Sequence, residues 1–262
     1  MDIYRSDFKN NNIKLELFYA GYSTLDKSWC GNDINAPFSF LYYITDGKAQ
    51  INTEFGEFIL LPGHWYLLPA GCKFSYKCPD KMSKFYFHIK LCGEDNLDWL
   101  RGCKTPLILK KDLDFEQTLE FIKTGETLLG FTVKSLIYST LSEILSKNNI
   151  RVQNLSLSPC VMRAVEFINN NLSAELTTEA IADAALVSKS TITKFFAREI
   201  QMSVQEYLYD VIFYKACKML LENQKPIKTI SLELGFCDQL YFSKKFKARY
   251  NVSPREYRKK YI

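Results

Sequence analysis

Only two histidines, His64 and His88, occur in 262 residues, and the eight cysteines include no Cys-x-x-Cys pair. Structural zinc modules group such ligands at short spacing, and neither histidine sits at ligand spacing from a cysteine pair, so no zinc site and no other cofactor is expected. Cys30, Cys72, Cys78, Cys92, Cys103, Cys160, Cys217 and Cys237 lie far apart in the chain, which favours reduced, mostly buried thiols over a disulfide framework. A redox-sensing thiol is the alternative. No apolar run approaches the roughly 18 residues that span a bilayer. The start, Met1-Asp2-Ile3-Tyr4-Arg5-Ser6-Asp7, lacks the basic-then-apolar pattern of a signal segment. A soluble cytoplasmic protein without a membrane partner is the expectation.

What is present is apolar enough for real cores, at 47% hydrophobic residues, and long enough for one large or two ordinary domains. The formal charge of +5 is unevenly shared. Residues 1–150 hold 17 Lys/Arg against 18 Asp/Glu, a net of −1, whereas residues 151–262 hold 17 against 11, a net of +6. A basic half is either an ordinary solvated surface or a phosphate-binding one.

A duplication in that half favours phosphate. Shifted by 50, residues 190–207 match 240–257: Ile192 with Phe242, Thr193 with Ser243, Lys194 with Lys244, Phe196 with Phe246, Ser203 with Ser253, Glu206 with Glu256, Tyr207 with Tyr257. Upstream the shift becomes 49, so the second copy carries one extra residue in or just after its turn. Each copy predicts a short helix, a tight turn and a second helix, which is a helix-turn-helix. In the second copy Gly235 supplies the turn, Phe242 and Phe246 bury one face, and Gln239, Leu240, Ser243, Lys244 and Lys247 point outward. Ile192 and Phe196 are the buried pair of the first copy, leaving Lys189, Ser190, Thr193, Lys194 and Arg198 outside.

Capping boxes open the helices after each copy, at Ser203-Val204-Gln205-Glu206 and Ser253-Pro254-Arg255-Glu256. A helix from Val204 to about Glu222 would be about 28 Å long, near the roughly 34 Å between successive major-groove faces. Lys244 suits guanine and Gln239 adenine. Lys194, Thr193 and Ser190 hold the corresponding positions in the first copy, with Lys189, Arg198 and Lys247 assigned to phosphates.

Over residues 159–262 the chain resembles the DNA-binding domain of AraC/XylS-family transcriptional regulators, most specifically in Leu234 to Lys247 and Asn251 to Arg258. The family's usual glycines are Leu186 in the first turn and Gln201 and Asn251 before the capping boxes; its basic linker-helix positions are Asp210 and Ile212. The resemblance implies double-stranded DNA and RNA polymerase as partners, and activation rather than repression.

Short strands separated by Gly or Pro are predicted before residue 110: Phe38 to Ile44, ended by the hairpin signal Asp46-Gly47, then Lys48 to Asn52, Glu57 to Leu61, Trp65 to Leu68, Phe74 to Cys78 and Lys84 to Leu91. The spacing Gly63-x5-Pro69-x-Gly71 resembles the cupin fold, the usual sensory domain of sugar-responsive AraC-like regulators. The positions of the cupin metal ligands fall on Ile34, Ala36, Phe40 and Phe74, all apolar, which argues against a cupin enzyme and for a binding pocket. Trp29, Tyr42, Trp65, Tyr66, Tyr76, Tyr86 and His88 are able to stack on a sugar or to hydrogen-bond a small polar effector. Core packing is the alternative for each.

Helical periodicity follows over about 113–148, with Phe115, Leu119 and Ile122 in one stripe. Val133, Leu136, Ile137, Thr140, Leu141, Ile144 and Leu145 form another. The second stripe either covers its own barrel or, as the resemblance implies, pairs two protomers in a homodimer. The expected fold class is α+β multidomain: a cupin-like β-barrel (about 1–110) and helices forming a ligand-binding and dimerisation domain over 1–150, a polar linker at 151–158, and an all-α DNA-binding domain at 159–262. In that last domain two helix-turn-helix motifs are joined by a linker helix. The function expected is a DNA-binding regulator controlled by a small-molecule sensory domain; a regulator acting only through dimerisation or protein partners is the rival.

Overall fold

A computed structural model of the chain describes residues 13–34, 36, 38–93, 98–103, 105–150, 157–222 and 225–261. Two antiparallel sheets form the N-terminal half. The first runs β1 (Lys14–Leu25), β8 (Met82–Cys92), β3 (Ser39–Gly47), β6 (His64–Leu68) and β9 (Leu107–Lys110), in that spatial order. The second runs β2 (Cys30–Ile34), β7 (Phe74–Lys77), β4 (Ala49–Thr53) and β5 (Gly56–Leu60). Together they make the cupin-like barrel that the pattern of short strands predicts. β1, β2 and β9 were not among the individually predicted strands.

Pleating sends alternate side chains of a strand to opposite faces, and this gives the first sheet two cores. Leu41, Tyr43, Trp65, Leu67, Phe85, Phe87 and Ile89 project outward onto two helices, α1 (Phe115–Thr124) and α2 (Thr127–Lys147). Asp114 caps α1 by accepting from Gln117 N–H, and Gly125 ends it in the left-handed region at φ 62°. From α2 come Val133, Ile137, Leu141, Ile144 and Leu145; full burial of each such side chain contributes about 1.5–3 kcal/mol. That stripe therefore covers its own barrel and is not free to pair protomers. Among the described residues α2 alone is long and apolar enough to cross a membrane, a composition that its packing against the sheet accounts for.

Asp46-Gly47 is not a hairpin turn. Gly47 ends β3 beside Met82 of β8, and the chain then passes to the other sheet, where β4 pairs with β5 and β7. Gly47 adopts φ 69°, and a Cβ there would lie 2.0 Å from the Lys81 carbonyl oxygen, so this corner requires glycine. Six of the eight thiols are buried; Cys30 and Cys237 are exposed.

The C-terminal half is helical: α3 (Pro159–Asn170), α4 (Thr178–Ala184), α5 (Lys189–Glu199), α6 (Val204–Glu222), α7 (Ile227–Glu233), α8 (Gln239–Tyr250) and α9 (Pro254–Tyr261). Its core gathers Val161, Ala164 and Ile168 from α3 with Ile181, Ile192, Phe196, Leu208, Ile212, Phe213, Ile230, Phe242 and Phe246. The Arg163 guanidinium of α3 donates to the Ala185 carbonyl at 2.8 and 3.2 Å, satisfying the C-terminal end of α4. The linker expected at 151–158 falls largely on residues 151–156, which lie outside the described residues.

Candidate nucleic-acid interface and barrel cavity

The two helix-turn-helix copies close their turns with the same hydrogen bonds. In the first, Leu186 N–H donates to Asp183 O and Val187 N–H to Ala182 O; in the second, Gly235 N–H donates to Leu232 O and Phe236 N–H to Ser231 O. These pairs keep the 49-residue shift. The following helix is capped by Ser188, accepting from Thr191 N–H, and by Asp238, accepting from Tyr241 N–H, which is a shift of 50. The extra residue is therefore Cys237, inserted between turn and cap.

Leu186 and Gly235 occupy equivalent left-handed positions, at φ 59° and 76°. Gln201 and Asn251 do the same after α5 and α8, at φ 59° and 58°. Three sites with non-glycine residues thus keep a glycine-like backbone, at a strain of about 1–2 kcal/mol each for an ordinary side chain. Gly235 has no such latitude, because a Cβ there would meet Ser173 Oγ at 2.0 Å.

Ile192 and Phe196, like Phe242 and Phe246, are buried, and this fixes the opposite faces of α5 and α8 as the outer ones. Lys189, Ser190, Thr193, Lys194 and Arg198 are exposed on α5; Gln239, Leu240, Lys244 and Lys247 are exposed on α8, with Ser243 partly covered. Lys189, Ser190, Thr193 and Lys194 hold the helix positions equivalent to Gln239, Leu240, Ser243 and Lys244. The two faces differ in how far they are already engaged. On α5, Lys189 pairs with Glu179 at 2.5 Å, Arg198 with Glu199 at 2.5 Å, and the Thr193 hydroxyl donates to Lys189 O. On α8, Lys244 has no ion pair among the described residues, and the apolar Leu240 is 82% exposed.

Helix α6 holds the two copies together. Its capping box forms as expected, with Ser203 N–H donating to the Glu206 carboxylate and Glu206 N–H to Ser203 Oγ; Ser253 and Glu256 repeat the arrangement on α9. Phe196 meets Tyr207 edge-on at 5.7 Å between ring centres, and Phe246 meets Tyr257 edge-on at 5.4 Å. Asp210, standing where the family has a basic residue, binds Arg249 of α8. Ile212 is fully buried.

The same helix touches the barrel. The Tyr214 hydroxyl donates to the Glu16 carboxylate of β1, and Lys90 Nζ lies 4.0 Å from the Tyr214 ring centre. Asn251 Nδ2 donates to the Asp33 carbonyl at 2.7 Å. From Tyr214 a chain of aromatic contacts runs inward through Phe18, met edge-on at 5.2 Å, and Phe38, stacked at 5.5 Å, to His88, stacked at 4.7 Å.

His88 borders a cavity of about 280 Å³ between the sheets. Trp29, Tyr42, Tyr76, Tyr86 and His88, expected on the effector side, line it. Trp65 does not: it is fully buried in the core between the first sheet and α2, because the alternation of β6 turns it away. Tyr66 has the opposite parity but is used structurally, its hydroxyl donating to Ile59 O and accepting from Leu61 N–H. Three of the vacant cupin ligand positions, Ile34, Phe40 and Phe74, are in the wall. Tyr19, Ser23, Leu25 and Lys84 are lining residues not singled out from the sequence. Lys84 stands two residues before Tyr86 and four before His88, so strand alternation alone places it on their face. Burial pushes the Lys84 ammonium well below the ordinary lysine pKa. Burial, and then the Lys84 charge, bring His88 down to about 3, so its imidazole is neutral at physiological pH.

A basic pair of helix-turn-helix motifs joined to a barrel with a polar-aromatic cavity defines a DNA-binding regulator with a ligand-binding domain. Residues 35–120 match the family described as an AraC-like ligand binding domain, and residues 181–260 the one described as a helix-turn-helix domain. The chain belongs to the AraC family of transcription regulators and is not an enzyme. It is 27% identical to the lactose operon transcription activator of Staphylococcus xylosus, covering 84% of this chain and 83% of that one. It is 25% identical to the Msm operon regulatory protein of Streptococcus mutans, covering 99% and 97%, and 26% identical to the arabinose operon regulatory protein of Salmonella typhimurium, covering 86% of each. The fold is similar to that of unsaturated fatty acid-bound ToxT from Vibrio cholerae, with a TM-score of 0.62 at 17% identity over 97% of both chains.

Proposed function

We propose that this protein is a cytoplasmic transcription activator of a carbohydrate-utilisation operon, switched by a small sugar-derived effector in the barrel cavity. The observation that carries the reading is the pairing of two equivalent outward faces on α5 and α8 with an aromatic-lined cavity in the barrel of the same chain. The names of the similar sugar-operon regulators support the effector class.

Helices α5 and α8 enter successive segments of the major groove, separated by α6. Its 19 residues give a helix about 28 Å long. Lys244 and Gln239 contact base edges, Leu240 suits a thymine methyl group, and Ser243 lies beside them. Ser190, Thr193 and Lys194 take the corresponding part on α5, while Lys189, Arg198 and Lys247 hold phosphates. RNA polymerase is the partner recruited. Leu128 and Phe131, each 70% exposed near the start of α2, are the apolar surface left for a homodimer, which sedimentation at micromolar concentration with and without DNA would detect.

The test is recovery of genomic fragments by the purified full-length protein at near-physiological salt, followed by sequencing. One enriched motif with two half-elements about one helical turn apart is the expected result, beside carbohydrate-utilisation genes. Retention of all fragments alike, lost on adding salt, would leave only nonspecific phosphate binding.

A further inference from the structure

Among the described residues the cavity wall contains one basic side chain and no carboxylate: none of those lining residues is Asp or Glu. The cation, Lys84, is 4% exposed. Its Nζ lies 3.4 Å from the ring centre of Tyr42 and 4.2 Å from that of Trp29, and no hydrogen-bond acceptor or ion pair engages it among the described residues. Ring faces attract an ammonium, but they accept none of its three N–H donors in the plane of a lone pair, and they offset only part of the cost of withdrawing the charge from water. A methionine of similar length would fill the same space without that cost.

We infer that the effector is anionic, a single-ring sugar derivative whose carboxylate or phosphate pairs with Lys84 Nζ while its ring lies among Tyr19, Tyr76 and Tyr86. This rests on the sensor reading above and narrows its ligand class. A volume of about 280 Å³ is near the lower end of ligand cavities and suits one ring with its charged group. Neutral His88 and the hydroxyl of Ser23 supply further hydrogen-bonding groups in the wall. Carboxylate and phosphate present the same chemistry to an ammonium, as oxygen acceptors carrying charge.

The experiment is calorimetric titration of the full-length protein with four probes: a hexose, its 6-phosphate, the matching hexuronate, and inorganic phosphate. Wild type is compared with Lys84→Met and Lys84→Gln, so that one variant serves if the other fails to fold. The charged sugars are expected to bind at least about tenfold more tightly than the neutral hexose in wild type, and both variants should lose that preference. Pairing with an anion also raises the proton affinity of Lys84, so binding in mildly alkaline buffer should take up protons in wild type and not in Lys84→Met. A stronger 6-phosphate than hexuronate assigns a sugar phosphate; the reverse order assigns a sugar acid. Equal binding of neutral and charged sugars, unaffected by either variant, overturns the anionic effector and leaves the sugar sensor standing. Absence of binding by all four probes, with operator recovery intact, overturns both the anionic sugar and the sugar-sensing reading while the DNA-binding regulator remains.

Discussion

Tyr214 on the linker helix donates its hydroxyl hydrogen to Glu16 on the first strand of the barrel, so a side chain of the element that joins the two DNA-binding motifs is fixed directly to the sensory half. Burial acts to raise the Glu16 pKa, but hydrogen bonds from Lys14 and Tyr214 outweigh it and hold the carboxylate below its usual range. Replacing Tyr214 by Phe removes one of those donors and leaves a carboxylate that is 14% exposed short of a partner. The expected loss is about 1–3 kcal/mol, read as a lower urea midpoint at unchanged slope. An unchanged midpoint would mean that this contact contributes nothing in solution.

The two turns respond oppositely to substitution. Gly235→Ala forces a Cβ into Ser173 Oγ and puts alanine at φ 76°, which should destabilise the protein by about 2 kcal/mol or more. Leu186→Gly relieves the strain at φ 59°, partly offset by the greater freedom of glycine in the unfolded chain, for a net gain of up to about 1 kcal/mol. Denaturant unfolding of both variants checks the pair. The same sign for both would contradict the equivalence of the turns.

His88 should make the protein acid-sensitive. Its folded pKa of about 3 lies below the value of 6.5 for an unperturbed group, so between those limits the unfolded chain binds a proton that the folded one does not. Stability therefore falls as pH drops from 6.5 towards 3, at up to roughly 1.4 kcal/mol per unit. Among the described residues Lys84, Tyr19, Tyr86, Phe38 and Phe40 face the imidazole, and none of these carries a carboxylate. Thermal unfolding of His88→Gln across this range should show a shallower pH dependence than wild type; parallel curves would refute a buried neutral imidazole.

Lys244 and Lys247 are expected to separate by role. Lys244→Ala should cost about 1–3 kcal/mol on the preferred operator and relax discrimination at one base pair. Lys247→Ala should weaken all sequences alike and reduce the salt dependence by about one charge. Binding curves on the operator and on point-substituted operators at fixed salt distinguish them, and a uniform loss for Lys244→Ala would move that residue to the phosphates.

The C-terminal half was legible because its turns, caps and aromatic pairs are written twice, and each repeats with local chemistry of its own. What the repeat could not give was the place of the extra residue, since Cys237 carries no turn signal; only the hydrogen bonds on either side locate it. In the barrel, β1 escaped notice because its alternation is broken by a register shift between Leu17 and Tyr19. Trp65 and Tyr66 were both expected on the effector side, yet neighbours on a strand face opposite ways, and Trp65 is the one turned to the helix-covered core. Lys84 was legible in principle, two residues from Tyr86 on β8, but a lysine in a strand ordinarily faces water and nothing local announces otherwise. Asp46-Gly47 has the composition of a hairpin, yet which strands pair across it depends on the whole sheet.

Ring contacts from His88 through Phe38 and Phe18 to Tyr214 join the cavity wall to the linker helix, and any coupling of effector to operator along them would be reciprocal. Whatever factor an effector contributes to operator affinity, the operator must return to effector affinity. A cell holding this protein on its promoter would then sense the effector over a different concentration range from one in which the protein is free, and the number of operator copies would itself set part of the threshold.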